Sequence, residues 1–129
     1  MIPAPGASGR ISGAARADYA AAAVAVLTGT DHEGKRYELA GDTSFTKAEL
    51  ALELSKLSGQ SVPHAELPAE AFKQMLVGAG LPDVVADILV DADVQIAKGA
   101  LFDDSKSLSR LIGRPTTTLE SSVRAALGS

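Results

Sequence analysis

The chain has 129 residues, 46% hydrophobic and 22% charged, a composition that fits one ordinary globular domain and excludes disordered and fibrous classes. A net charge of −4, no basic run, 4% aromatic content and no Trp exclude a phosphate-tracking or base-stacking surface, so nucleic acid is not an expected partner. The absence of cysteine excludes a disulfide framework, a thiolate metal site and thiol catalysis, and it agrees with a cytoplasmic location.

Met1–Gly9, with Pro3 and Pro5, reads as a flexible arm without the basic and apolar regions of a signal peptide, and residues 10–129 read as one domain. A short apolar patch over Arg10–Ala14 is a strand candidate. Asp18 is the expected N-cap and Gly29 the expected C-cap of an Ala-rich helix that is apolar nearly all round, a pattern that calls for burial on several sides. Its apolar stretch Tyr19–Leu27 is about half the length of a bilayer span, so no membrane is expected. Thr30–Lys35 is a polar turn, and the alternation in Arg36–Gly41 predicts a short strand. Thr46 with Glu49 forms a capping box ahead of Leu50, Leu54 and Leu57, which share one helix face up to Gly59.

Val62–Leu67 is a second strand, placed at an edge by Pro63. Pro68 opens a helix carrying Phe72, Met75 and Leu76 that stops near Gly78 and Gly80. Pro82 opens the longest helix, with Val85, Leu89, Ala92 and Ile96 as its inward face, ending at Gly99. Ser105–Ile112 is a short helix before Gly113, and Thr117 with Glu120 predicts a second capping box ahead of Leu119, Val123 and Leu127. The fold class expected is α+β, mostly helical with two or three short strands, which cannot form a stable sheet alone.

Catalytic motifs are absent where they are sought. Gly6, Gly9 and Gly13 resemble a glycine-rich dinucleotide turn, but the spacing is three then four, the preceding arm holds two prolines, and no acidic residue ends a second strand about twenty residues on. A Tyr and a Lys four residues apart would suit proton donation by a short-chain reductase, yet Tyr19 is followed at that distance by Ala23 and Tyr37 by Gly41. Both tyrosines are expected to pack. His32 sits in a polar turn and reads as solvated, while His64 on the edge strand reads as structural. Asp91 and Asp93 diverge on a helix, and Asp103 with Asp104 is placed to cap the helix that follows. No metal site is expected, and no Gly-x-Ser-x-Gly elbow is present.

Five stretches together carry a family resemblance: RISGAARADYAAAAVAVLTG (Arg10–Gly29), YELAGD (Tyr37–Asp42), GAGLP (Gly78–Pro82), DADVQIAKGAL (Asp91–Leu101) and LSRLIGRPTTTLESSV (Leu108–Val123). In order and spacing they resemble the second half of bacterial type 2 NAD(P)H:quinone oxidoreductases, in the NmrA-like branch of atypical short-chain dehydrogenases. The resemblance implies the C-terminal, substrate-side part of an NmrA-like NAD(P)-binding Rossmann-type fold. NADPH is implied as the cofactor of the full-length family and a quinone-like molecule as its substrate, with no cofactor bound by this chain alone. It also implies that the YELAGD strand lacks its sheet neighbour and that the apolar helix at Asp18 lacks a packing surface, which predicts a homo-oligomer, a separate nucleotide-binding chain as partner, or poor solubility.

Three readings follow: the substrate-side half of a quinone reductase, inactive alone; a non-enzymatic binding or regulatory module; and a small independent enzyme. For the last, Arg16, Tyr19, Phe72 and Met75 are candidate cleft-lining residues, with a salt bridge from Arg16 to Asp18 or to a neighbouring helix end as the plainer role for the arginine.

Overall fold

A computed structural model of the chain describes residues 1–6 and 8–128; Ala7, in the middle of the expected arm, and Ser129 lie outside the described residues. It is mostly helical with two short parallel strands, and the chain divides into two compact units. Unit one comprises Met1–Ile11 with Phe45–Leu101, and unit two comprises Ser12–Ser44 with Phe102–Ser129, so the span expected as one domain is interleaved between them.

In unit one, strand β1 (Ile2–Ala4) pairs in parallel with β2 (His64–Glu66), with Ile2 opposite His64 and Ala4 opposite Glu66. The Met1–Gly9 arm therefore contains a strand. Its prolines do not prevent this, because the bonds at its two ends, from the Ile2 amide to the Pro63 carbonyl at 2.8 Å and from the Leu67 amide to the Ala4 carbonyl at 3.1 Å, ask nothing of Pro3. The expected strand at Arg10–Ala14 contracts to a single antiparallel bridge between Ile11 and Phe45.

Helix α2 (Lys47–Ser58) starts as the sequence predicts: the Thr46 hydroxyl accepts from the Glu49 amide, and the Glu49 carboxylate accepts from the Thr46 amide. Gly59 ends it at φ 69°, a left-handed conformation that a side chain would strain. Helices α3 (Ala69–Gly78) and α4 (Asp83–Ala97) follow Pro68 and Pro82, each proline standing just outside the helix as its N-cap. Phe72 of α3 is part of the core. The inward face of α4 differs from expectation. Val85, Leu89 and Ala92 are exposed, and Ala86 and Asp93 are buried instead. Periodicity reports that a helix has a stripe, but α4 turns small Ala86 inward and admits Asp93 because Lys47 of α2 pairs with it.

In unit two, helix α1 (Arg16–Thr28) packs on α5 (Ser107–Ile112), and α6 (Leu119–Ala126) completes the set. The N-cap of α1 is Ala15, without a side-chain bond; Asp18 lies in the first turn and is fully buried. Of α1's apolar residues, Val24 and Leu27 are 60% and 83% exposed. Arg36–Gly41 forms no strand: the Gly41 amide bonds to the Ser12 carbonyl at 2.9 Å, and no ladder continues from it. Lys106, in a left-handed conformation, is the N-cap of α5, so Asp103 and Asp104 do not cap it; Asp103 accepts instead from the Ser105 amide and hydroxyl. The second cap shifts by one residue. Thr118, not Thr117, accepts from the Ser121 amide, because Thr117 is engaged by Asp18.

Candidate functional site

The most highly organised polar site in unit two is built around two carboxylates and the segment Gly113–Thr118. Gly113 ends α5 in the left-handed region at φ 70°, which releases Arg114–Thr117 as non-helical chain before Thr118 caps α6. Asp18 receives three bonds from this segment: Arg114 Nη2 at 2.7 Å and the Thr117 hydroxyl at 3.1 Å on Oδ1, and the Thr117 amide at 2.6 Å on Oδ2. Asp42 and Thr116 bond reciprocally, the Thr116 amide donating to Asp42 Oδ2 at 3.0 Å and the Asp42 amide donating to the Thr116 hydroxyl at 2.8 Å. Ser12, 5% exposed, ties in two further segments, its carbonyl accepting from Gly41 and its hydroxyl from the Asp103 amide. Gly41 is required there, since a Cβ would stand 2.2 Å from the Gly13 carbonyl oxygen.

The electrostatics of both carboxylates point the same way. Burial pushes the Asp18 carboxyl up, but the Thr117 amide, the Arg114 guanidinium and the Thr117 hydroxyl outweigh it and hold the group below its ordinary value. Asp42 is lowered by the nearby Ser109 hydroxyl, then by the Thr116 amide, against a smaller opposing effect of burial. Ser109 donates to the Lys106 carbonyl at 3.2 Å and Asp42 Oδ1 has no hydrogen-bond partner among the described residues, so the Ser109 effect is one of proximity rather than a formed bond. Both acids stay ionised at neutral pH and have no proton to give. Asp18 accepts three hydrogen bonds, which suits it to holding a segment in place.

Also in unit two, the His32 ring meets Tyr37 edge-on, with Nδ1 2.7 Å from the phenolic oxygen. His32 is thus half-buried and partnered rather than solvated, and Tyr37 has the polar neighbour expected of a packed tyrosine. Tyr37 also lines a cavity of about 150 Å³ with Ser107, Arg110 and Leu111.

The residues proposed from sequence as cleft-lining are divided between the units. Arg16 is exposed and Tyr19 half-buried on α1 of unit two; Phe72 is 7% exposed and Met75 half-buried on α3 of unit one. The bridge from Arg16 to Asp18 does not form, because Asp18 is turned inward to Arg114. The sequence does hold a signal for that pair: an acid inside an apolar helix needs a buried partner, and IGRPTT offers an arginine and threonines together.

The glycine-rich segment fits packing rather than a pyrophosphate. A Cβ on Gly6 would stand 2.5 Å from Ala97 Cβ, and one on Gly9 would stand 2.8 Å from the Ile96 carbonyl oxygen, so the end of α4 fills the space both glycines leave. A strand does enter this turn, contrary to expectation, but α1 begins only at Arg16, and among the described residues no helix amino terminus opens directly from the turn as a phosphate cradle requires. Among the described residues no three His, Asp or Glu are grouped to hold a metal, and no helix is long and apolar enough to cross a membrane. His64 Nδ1 lies 2.8 Å from the Ile2 carbonyl oxygen, tying β2 to β1.

No family model matches the chain. It is 56% identical over 115 residues to quinone oxidoreductase 2 of Escherichia coli, an alignment covering 89% of this chain and 40% of that protein. The crystal structure of the NADPH-dependent quinone oxidoreductase from Escherichia coli in complex with NADPH superposes with a TM-score of 0.93 and 51% identity, over 99% of this chain and 45% of that one. A Citrobacter triphenylmethane reductase superposes with a TM-score of 0.91 and 36% identity, over 99% of this chain and 44% of that one. The chain thus spans less than half the length of the proteins it matches.

Proposed function

Since the chain is homologous to part of Escherichia coli quinone oxidoreductase 2 and of NmrA-like reductases, we propose that it is the substrate-side, C-terminal half of an NAD(P)H-dependent quinone oxidoreductase and is inactive by itself. In such an enzyme the cofactor supplies a hydride and the protein supplies placement. The observation that carries the reading is the 56% identity over 115 residues, joined to a glycine turn that is closed by α4 and does not fit a pyrophosphate. The residues that seat NADPH would then come from outside this chain.

Two measurements test the reading. NADPH fluorescence titrated with the chain is expected to show no saturable micromolar binding; saturable binding by the monomer overturns the claim of inactivity. Substituting the chain for the matching stretch of the Escherichia coli enzyme is expected to preserve NADPH-dependent quinone reduction. A folded chimera that binds NADPH but reduces no quinone overturns the substrate-side assignment.

A second reading rests on a specific observation, the exposure of Val24 and Leu27 at 60% and 83% on α1. An apolar helix left bare favours a module that acts through a protein partner or self-association. Sedimentation of the purified chain tests it, and a monomer over the whole concentration range, with no bound protein, counts against it.

A further inference from the structure

Unit one carries an apolar row that its own helices leave bare. On α4, Val84 and Ile88 are 70% and 63% exposed, and Val85 and Leu89 are 40% and 41% exposed. With about 100° between successive helix residues these four share one broad side of α4, and the buried Ala86 and Asp93 lie just beyond its Leu89 edge. Asp83, Asp87 and Asp91, spaced four apart, form a row of carboxylates along one border of the stripe, and α4 contains no Lys, Arg or His. Between α3 and the start of α4, on that acidic border, lies a cavity of about 510 Å³ lined by Glu70, Lys73, Gln74, Val77, Gly78 and Asp83. Its one cation is already matched: Lys73 Nζ lies 2.5 Å from Asp87, which leaves Glu70 and Asp83 in excess.

We propose that this α3–α4 face is the docking surface for a cationic amphipathic helix of a protein partner. The apolar side of that helix covers Val84, Val85, Ile88 and Leu89, and a Lys or Arg on its border enters the cavity beside Glu70 and Asp83. This is the helix-in-groove mode of recognition, with area supplied by the stripe and orientation by the charges. Charge selects the occupant. A second copy laid antiparallel on the face would set one carboxylate row against another, and an anionic lipid surface would meet the same repulsion. The proposal does not depend on the reductase reading.

The test is fluorescence anisotropy of two labelled helical peptides of about 18 residues, or five turns, titrated with the full chain. One peptide is built of Leu and Lys, the other of Leu and Glu with the same apolar stripe. The Leu–Lys peptide is expected to bind saturably and at least about tenfold more tightly than the Leu–Glu peptide. Val84→Ser with Ile88→Ser is expected to weaken binding at least about tenfold, with the circular dichroism spectrum unchanged because both side chains are mostly exposed. Glu70→Gln with Asp83→Asn is expected to flatten its salt dependence. Equal affinity for the two peptides, or affinity untouched by the serine pair, overturns the proposal. So does a dimer of the chain that the serine pair abolishes, since the occupant is then a second copy.

Discussion

Replacing Asp18 by Asn tests whether the carboxylate anchor holds unit two together. Asp18 is fully buried and accepts three hydrogen bonds. The amide keeps the shape but removes the charge and turns one acceptor oxygen into a donor, so one of the Thr117 and Arg114 donors loses its partner. A hydrogen bond to a charged group contributes about 1.5–3 kcal/mol, and an orphaned buried donor costs a comparable amount. Arg114 is 48% exposed and returns to water, so the larger penalty of a fully buried broken pair does not apply. The expected loss is about 2–3 kcal/mol. Thr117→Val, which removes only the 3.1 Å hydroxyl contact, is expected to cost about 1 kcal/mol. Both tyrosines, Tyr19 and Tyr37, lie in unit two, so urea unfolding followed by tyrosine fluorescence reads that unit alone. The pH dependence supplies a second reading. The folded Asp18 carboxyl titrates below the ordinary 3.8, so the unfolded chain binds more protons, and the stabilisation is complete above that value and lost as pH falls through the folded value. Asp18→Asn is expected to flatten this acid limb, leaving the part due to Asp42, which is lowered in the same direction. A loss under about 0.5 kcal/mol, the range of ordinary surface substitutions, or an unchanged acid limb would mean that Asp18 does not anchor unit two.

Gly9→Ala places a Cβ 2.8 Å from the Ile96 carbonyl oxygen and is expected to destabilise unit one by about 1–3 kcal/mol, read as a lower urea midpoint in far-ultraviolet circular dichroism. Lys47→Ala strands Asp93, whose side chain is 9% exposed, and is expected to cost about 2–3 kcal/mol, somewhat less than a fully buried pair because Lys47 is 22% exposed. The double substitution Lys47→Ala with Asp93→Ala is expected to cost less than the sum of the two single changes in the same unfolding measurement. Thr46→Ala removes the capping box of α2 and is expected to cost about 1 kcal/mol, with faster amide exchange at Glu49.

Elements whose signal is local were legible in the sequence. The Thr46 capping box and the glycine ends at Gly59 and Gly113 involve bonds or strain within a few residues and stand where the sequence places them. Pro68 and Pro82 open α3 and α4 as expected, but as N-caps rather than as first helical residues. Elements decided by distant partners were not. Ile2–Ala4 becomes a strand because β2, some sixty residues on, offers it a ladder; Arg36–Gly41 has the alternation but no ladder and stays irregular. The inward face of α4 depends on Lys47 being available to Asp93, which hydrophobic periodicity ignores. Thr117 and Thr118 are equivalent as caps by type, and only the demand of Asp18 for Thr117 settles which one starts α6.

The same competition explains why IGRPTT stands out. Outside a helix, consecutive side chains need not share a face, and here two consecutive threonines serve two different partners. Thr116 engages Asp42 and Thr117 engages Asp18, across 74 and 99 residues of sequence, and each link joins the Phe102–Ser129 piece of unit two to its Ser12–Ser44 piece. The apolar support for that joint is small: among the described residues of unit two the buried hydrophobics are Ala22, Ala40, Leu108 and Val123, and only Leu108 is a large side chain buried completely. Where the core is so slight, a few charge-assisted bonds are a large fraction of the net stability of a domain. The arginine and threonines of this segment therefore join the two pieces of unit two, and a substitution at either carboxylate is felt through the whole of that unit.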